Sequence, residues 1–262
     1  MMDLLLDGKV VVVSGASSGI GRATARLLAL EGCRLAIGAR TEETLDEFAA
    51  EARSLGGNVI TQAGDLVAEE GLARLVTAAR RTYGGVDGLV ACVGSTPLGE
   101  FGDLDDQLWN QAFEMKFLAT ARAFRAVLPE FRARGGGRAV FITGNAAHAP
   151  LPSFYTSGAI NAALGNLIAN LAREYGSEQI GVNAVSPGPV STHRYQGLVR
   201  ATSTRTRLPP PGAEELILSS IPDHRVGAPD EVAHMVVYLL SQRAAHMNGT
   251  VAVIDGGQTW VR

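Results

Sequence analysis

The run SGASSGIG at residues 14–21 is the first place where the residue types and spacing of this chain can do chemistry. Gly15, Gly19 and Gly21 leave the backbone bare, with Ser17, Ser18 and Ile20 between them, where a strand pattern gives way to the helical run RATARLLALEG. A strand, a glycine turn and a helix N-terminus together aim backbone N–H groups at one spot, which suits a pyrophosphate. The spacing therefore predicts a bound dinucleotide. The second strand pattern ends LAIGARTEET. A carboxylate for the ribose 2′-hydroxyl is expected near Ala39, but none is there, and Arg40 follows at once. A guanidinium at that turn can pair with a 2′-phosphate, so the expected cofactor is NADP(H) rather than NAD(H).

Such a turn works only if a sheet positions it. Short β-rich apolar runs at residues 9–14, 34–39, 58–64, 87–91, 138–143, 180–186 and 250–254 alternate with helical periods. Leu72, Leu75, Val76 and Ala79 follow the i, i+3, i+4, i+7 rule, as do Phe113, Phe117, Ala121, Phe124 and Leu128. Seven strands with six helical connections predict an α/β fold: a single doubly wound Rossmann domain over residues 1–262, with a parallel seven-stranded sheet. One segment breaks the rhythm. Residues 193–212, HRYQGLVRATSTRTRLPPPG, hold four arginines, no acidic residue and three consecutive prolines. They predict a mobile substrate lid over about 193–226, above the carboxyl ends of the strands. Arg194, Arg200, Arg205 and Arg207 leave two readings open, recognition of an anionic carbonyl compound or ordinary solvated charge.

Composition bounds the partners. With 23 basic and 26 acidic residues the formal net charge is −3, which argues against nucleic-acid or membrane-surface binding driven by bulk electrostatics. A hydrophobic content of 46% excludes disorder as the dominant state. Cys33 and Cys92 lie in apolar contexts and cannot build a multi-bridge framework, so a reducing compartment is expected, and no metal site. The start MMDLLLDGK has no basic n-region, and no run approaches the roughly 18 apolar residues of a membrane span. The expected location is cytoplasmic.

The spacing Gly-x-x-x-Gly-x-Gly resembles that of the short-chain dehydrogenase/reductase family, and the likeness runs through almost the whole chain. Asp65 in AGDLVAEE, with Leu66 after it, stands where the family contacts the adenine. Gly94 closes the loop after the fourth strand, and Tyr155 occupies the catalytic tyrosine position. VNAVSPGPVST, residues 182–192, with Pro187, Gly188, Val190 and Thr192, resembles the nicotinamide-contacting turn. GTVAVIDGG, residues 249–257, resembles the last strand. The resemblance implies hydride transfer between nicotinamide and a carbonyl or alcohol substrate, and a homotetramer. In the family a tyrosine moves the proton, a lysine four residues later lowers its pKa, and a serine and an asparagine complete the site.

The sequence departs from that set. In Tyr155-Thr156-Ser157-Gly158-Ala159 an alanine stands at the lysine position. The serine position falls near Gly144, between Thr143 and Asn145, and Lys116 in WNQAFEMKFLAT stands at the asparagine position. A divergent subfamily with lysine in the fifth helix and Tyr-x-x-Gly-x-x-Asn in the sixth looks similar, and Asn161 fits it. Two readings follow. In one the lysine has moved: Lys116 reaches the phenol of Tyr155 from the neighbouring helix, Tyr155 is the general acid/base, and Asn145 supplies the serine's hydrogen bond. A cation about 4 Å from a phenol is worth roughly 4 kcal/mol at an effective dielectric near 20. In the other, catalysis is impaired and the chain is a dinucleotide-binding sensor or partner subunit. Asn161, six residues after Tyr155, is expected about 120° off its helix face and away from the site.

Overall fold

A strand buried on both faces must be apolar along its whole length, and VVVV at residues 10–13 meets that demand at the centre of the sheet. The computed structural model describes residues 3–259. The elements run β1 (Val10–Ser14), α1 (Gly19–Leu30), β2 (Arg34–Ala39), α2 (Glu42–Ser54), β3 (Asn58–Ala63), α3 (Glu69–Tyr83) and β4 (Gly88–Ala91). They continue with α4 (Asp106–Phe113), α5 (Ala119–Ala133), β5 (Gly137–Ile142), α6 (Tyr155–Tyr175) and β6 (Ile180–Pro187). The chain then forms α7 (His193–Thr206), α8 (Pro210–Ser219), α9 (Pro229–Leu240) and β7 (Val251–Ile254).

All seven strands pair in parallel, in the order β3-β2-β1-β4-β5-β6-β7. The two-residue period of β1 divides the core. Val11 and Val13 pack with Leu28, Phe48 and Val236 from α1, α2 and α9 on one face. Val10 and Val12 pack with Leu75, Phe124, Phe131 and Leu164 from α3, α5 and α6 on the other. Strand order reverses direction between β1 and β4, and sheets of this kind bind ligands outside the carboxyl ends at such a switch point. The expected doubly wound α/β sheet is the observed one.

Two local features differ from expectation. The segment expected as a mobile loop is a helical pair: α7 ends at Arg207 in the left-handed region (φ 58°), and α8 begins at once with Pro210. Proline is pre-organised for the first helical turn, so the triple proline starts a helix here. Between α4 and α5, Glu114–Leu118 form a single π-helical turn carrying Lys116. Such a turn inserts a residue into a helix and re-aims the side chains on it.

Candidate active site

The cofactor cradle is built by backbone. Gly15 takes φ 79°, and its N–H donates to the carbonyl of Gly38 at 2.8 Å, locking the turn onto β2. A Cβ at Gly21 would overlap the Gly15 carbonyl oxygen, so only glycine lets α1 start this close to β1. Ser18 at the head of α1 makes no side-chain cap, and the first turn holds no acidic residue. Its N–H groups are left for an anion. Thr192 Cγ2 would lie 3.0 Å from a Cβ at Gly19, which places the start of α7 against the glycine turn. Gly188 donates to the Ile254 carbonyl at 3.0 Å, and Val190 bridges to Gly227, holding the turn after β6 beside it.

The remaining cofactor candidates lie along the same edge. Arg40 is exposed just past β2 and enters no ion pair among the described residues. Asp65 is exposed past β3, its carboxylate accepting from Val67 N–H at 2.9 Å, and Leu66 is buried beneath it. An uncapped helix N-terminus, bare glycines and a free guanidinium past β2 form a donor set that fits a phosphorylated dinucleotide. A separate cavity of about 290 Å³, lined by Lys9, Asp87 and Arg134 among others, contains none of the expected site residues.

Side chains build the other half of the site, and here the sequence expectation and the geometry part. Tyr155 is the first residue of α6 and is 40% exposed, its ring set edge-on against Phe101 at 5.4 Å. Its hydroxyl makes no hydrogen bond among the described residues. Ala159, one turn on, is also exposed, so a lysine there would point to solvent. Ser157 and Asn161 form a buried, hydrogen-bonded i, i+4 pair at this end of α6, with Asn161 Nδ2 donating to Ser157 Oγ at 3.2 Å. Two residues turn a helix by about 200°, which is why Tyr155 and Ser157 face opposite ways. Asn161 therefore lies off the Tyr155 face, as expected, and points inward. Its Oδ1 is buried without a partner, and its amide faces Gly144, where a Cβ would lie 3.0 Å away.

Both neighbours of Gly144 are engaged within the fold. Thr143 Oγ1 donates to the Val185 carbonyl at 3.2 Å. Asn145 Nδ2 donates to Gln258 Oε1 at 2.7 Å and reaches Asp255 Oδ2 at 3.5 Å, so the expected catalytic amide is engaged as a strut between β5 and the C-terminal turn.

Lys116 is 6% exposed, which rules out a solvated surface lysine. Its stem lies on Gly94, where a Cβ would come 2.9 Å from Lys116 Cδ and would also overlap the Met115 carbonyl oxygen. Gly94 (φ 107°) is bare so that the π-helical turn can press onto the loop after β4. Burial first, and then the nearby Arg194 guanidinium, push the Lys116 ammonium down from 10.5 to about 8. Burial pushes the Cys92 thiol beside it up to about 12, so it stays neutral and offers no counter-charge.

Sequence reasoning missed Ser157 and left Arg194 undistinguished among four arginines. For α6 the signal was present: Ile160, Leu164, Ile168 and Ala172 form the buried stripe of the helix, and Ser157 and Asn161 continue it at helical spacing.

Comparison with known proteins agrees with this architecture. The family model described as Enoyl-(Acyl carrier protein) reductase matches residues 15–259. The chain is 32% identical to dehydrogenase/reductase SDR family member 4 of Bos taurus, over 96% of this chain and 88% of that one. It is 30% identical to the uncharacterized oxidoreductase YvrD of Bacillus subtilis over 98% of both. Among solved structures, L-sorbose reductase of Gluconobacter frateurii, complexed with NADPH and L-sorbose, superposes with a TM-score of 0.92 at 30% identity over the full length of both chains. A single-substitution variant of actinorhodin polyketide ketoreductase with NADPH gives 0.92 at 30% identity, covering 97% of this chain and 98% of that one.

Proposed function

The chain belongs to the short-chain dehydrogenase/reductase family and is an NAD(P)-dependent enzyme, and from that premise we propose that it interconverts a carbonyl compound and its alcohol with NADP(H), using Lys116 to move the proton. The observation that carries this reading is the burial of Lys116 under Gly94, with its ammonium lowered to about 8. A group with that pKa holds both protonation states near neutral pH, as a general acid and base must.

The bound nicotinamide supplies or accepts the hydride. The turn from Gly15 to Gly21 and the N-terminus of α1 bind the pyrophosphate, Arg40 takes the 2′-phosphate, and Asp65 and Leu66 flank the adenine. Gly94, Pro187, Gly188, Val190 and Thr192 border the nicotinamide end. The unpartnered Asn161 Oδ1 accepts a hydrogen bond from a ribose or substrate hydroxyl. Ser157 Oγ already accepts from Asn161, so its own proton is free to orient the substrate oxygen. Two solved relatives complexed with NADPH and one described as an NADPH-dependent reductase support the choice of cofactor.

Tyr155 is the other candidate for the proton, standing exposed at the head of α6. One experiment separates the two. Oxidation or reduction of the nicotinamide is followed at 340 nm against a panel of ketones, aldehydes, oxo acids, alcohols and an enoyl thioester. Lys116→Met is expected to remove activity while Tyr155→Phe retains most of it. The reverse outcome returns the proton to Tyr155. Cofactor binding without turnover of any compound favours a catalytically impaired binding module.

A further inference from the structure

The four arginines of the 193–212 segment are not equivalent. Arg200, Arg205 and Arg207 are exposed. Arg194 is exposed as a residue, but its guanidinium turns back to the loop after β4, donating to Ser95 Oγ at 2.7 Å and reaching Thr96 Oγ1 at 3.4 Å. Those two hydroxyls directly follow Gly94, on which Lys116 lies. One short loop therefore holds two cations, Lys116 from the π-helical turn and Arg194 from the start of α7. Their charges oppose each other, and neither has a carboxylate partner among the described residues. Glu214 on α8 accepts from the Tyr195 hydroxyl at 3.1 Å instead. Two partly desolvated cations without an anion are costly to hold, and a bound carboxylate relieves that cost.

We propose that the substrate carries a carboxylate beside its reacting carbonyl, with Arg194 holding the carboxylate and Lys116 facing the carbonyl oxygen. The inference rests on the proposed reaction and names its substrate class, a 2-oxo acid reduced to a 2-hydroxy acid. In that direction the carbonyl carbon receives the hydride of NADPH, leaving NADP⁺, and the oxygen takes the Lys116 proton. Charge is accounted for as well: the carboxylate balances Arg194, and proton transfer discharges Lys116. Arginine suits the first task because its planar fork matches a carboxylate in bidentate fashion.

Titration calorimetry of the NADPH-loaded protein with oxamate, an unreactive carboxylate beside an amide carbonyl, tests the anion site without requiring turnover. Oxamate is expected to bind, and methyl oxamate, which lacks the charge, to bind at least tenfold more weakly. Arg194→Leu is expected to lose oxamate affinity at least tenfold while NADPH affinity holds. Arg194→Gln, which keeps an amide donor for Ser95 and Thr96, carries the same expectation if the leucine variant does not fold. Equal oxamate affinity in wild type and variants, or no oxamate binding at all, overturns the proposal. So does a loss confined to NADPH, which would assign the cations to the cofactor. Oxamate binding without turnover of any 2-oxo or 2-hydroxy acid upholds the anion site and overturns the proposed reaction.

Discussion

The two halves of the crevice are made of different material. From β1 to β3 the site is mainly backbone: glycines, a helix N-terminus and strand ends fixed by parallel pairing, with the Arg40 and Asp65 side chains at its margin. From β4 to α7 it is side chain: Lys116, Ser157, Asn161 and Arg194, each aimed by the rotation of a helix. A backbone site tolerates little substitution where an added Cβ meets main-chain atoms, as it would at Gly15 and Gly21. A side-chain site can exchange residues between neighbouring elements while keeping a cation and an amide in the same small volume. Here an alanine and a glycine stand at sequence positions expected to be catalytic, and the proposed functional groups come from neighbouring elements.

The largest expected effect breaks the backbone half. Gly21→Ala drives a methyl into the Gly15 carbonyl and forces α1 away from β1. NADPH affinity is expected to fall at least about 100-fold, roughly 3 kcal/mol, as read by a fluorescence titration. An alanine that binds NADPH normally would mean that the turn does not set the cradle.

The side-chain half is sharpened by stability rather than affinity. The folded protein holds the Lys116 ammonium near 8, whereas its ordinary value is 10.5, so between those pH values the unfolded chain binds more protons. Stability from this group therefore rises with pH across that window, and below it the buried charge carries its full cost of about 3 kcal/mol. In the cofactor-free protein, Lys116→Met is expected to melt higher than wild type at pH 7 and to lose that advantage towards about pH 10. A constant difference across the range would place Lys116 in water.

Arg40→Ser addresses cofactor choice. Loss of the guanidinium is expected to weaken NADPH about tenfold, near 1.4 kcal/mol, and to leave NADH unchanged. Equal weakening of both cofactors would separate Arg40 from the 2′-phosphate. The smallest effect expected is from Ala159→Lys in the Lys116→Met background. Because Ala159 is exposed, the new lysine should restore no activity and shift stability by less than about 0.5 kcal/mol. Rescue would mean that α6 turns its Tyr155 face to the substrate.

The same contrast separates what the sequence made legible from what it hid. SGASSGIG, the strand pattern and the turn after β6 could be read directly, because glycine spacing and apolar runs encode backbone geometry one residue at a time. Lys116 could be singled out because a charge between Met115 and Phe117 lies out of place on an apolar face. The registration of α6 could not be read from its tyrosine. A shift of two residues along a helix reverses the face, and the phenol of Tyr155 drew the reading to the exposed side. The stripe Ile160, Leu164, Ile168 and Ala172 marks the inward side and includes Ser157 and Asn161. The fold of α7 and α8 was hidden for a different reason. Prolines at a helix start and prolines in a loop look alike until the hydrogen bonds that follow are known.

The most direct test is the pH dependence of the steady-state reduction rate at saturating NADPH, compared among wild type, Tyr155→Phe and Lys116→Met. If Lys116 moves the proton, the wild-type rate falls as pH rises through about 8, because the ammonium is the acid being lost. Tyr155→Phe should keep that profile, and Lys116→Met should be slower by about 10²-fold or more with the inflection gone. An inflection that survives in Lys116→Met and disappears in Tyr155→Phe would contradict the assignment and place the acid on the exposed face of α6.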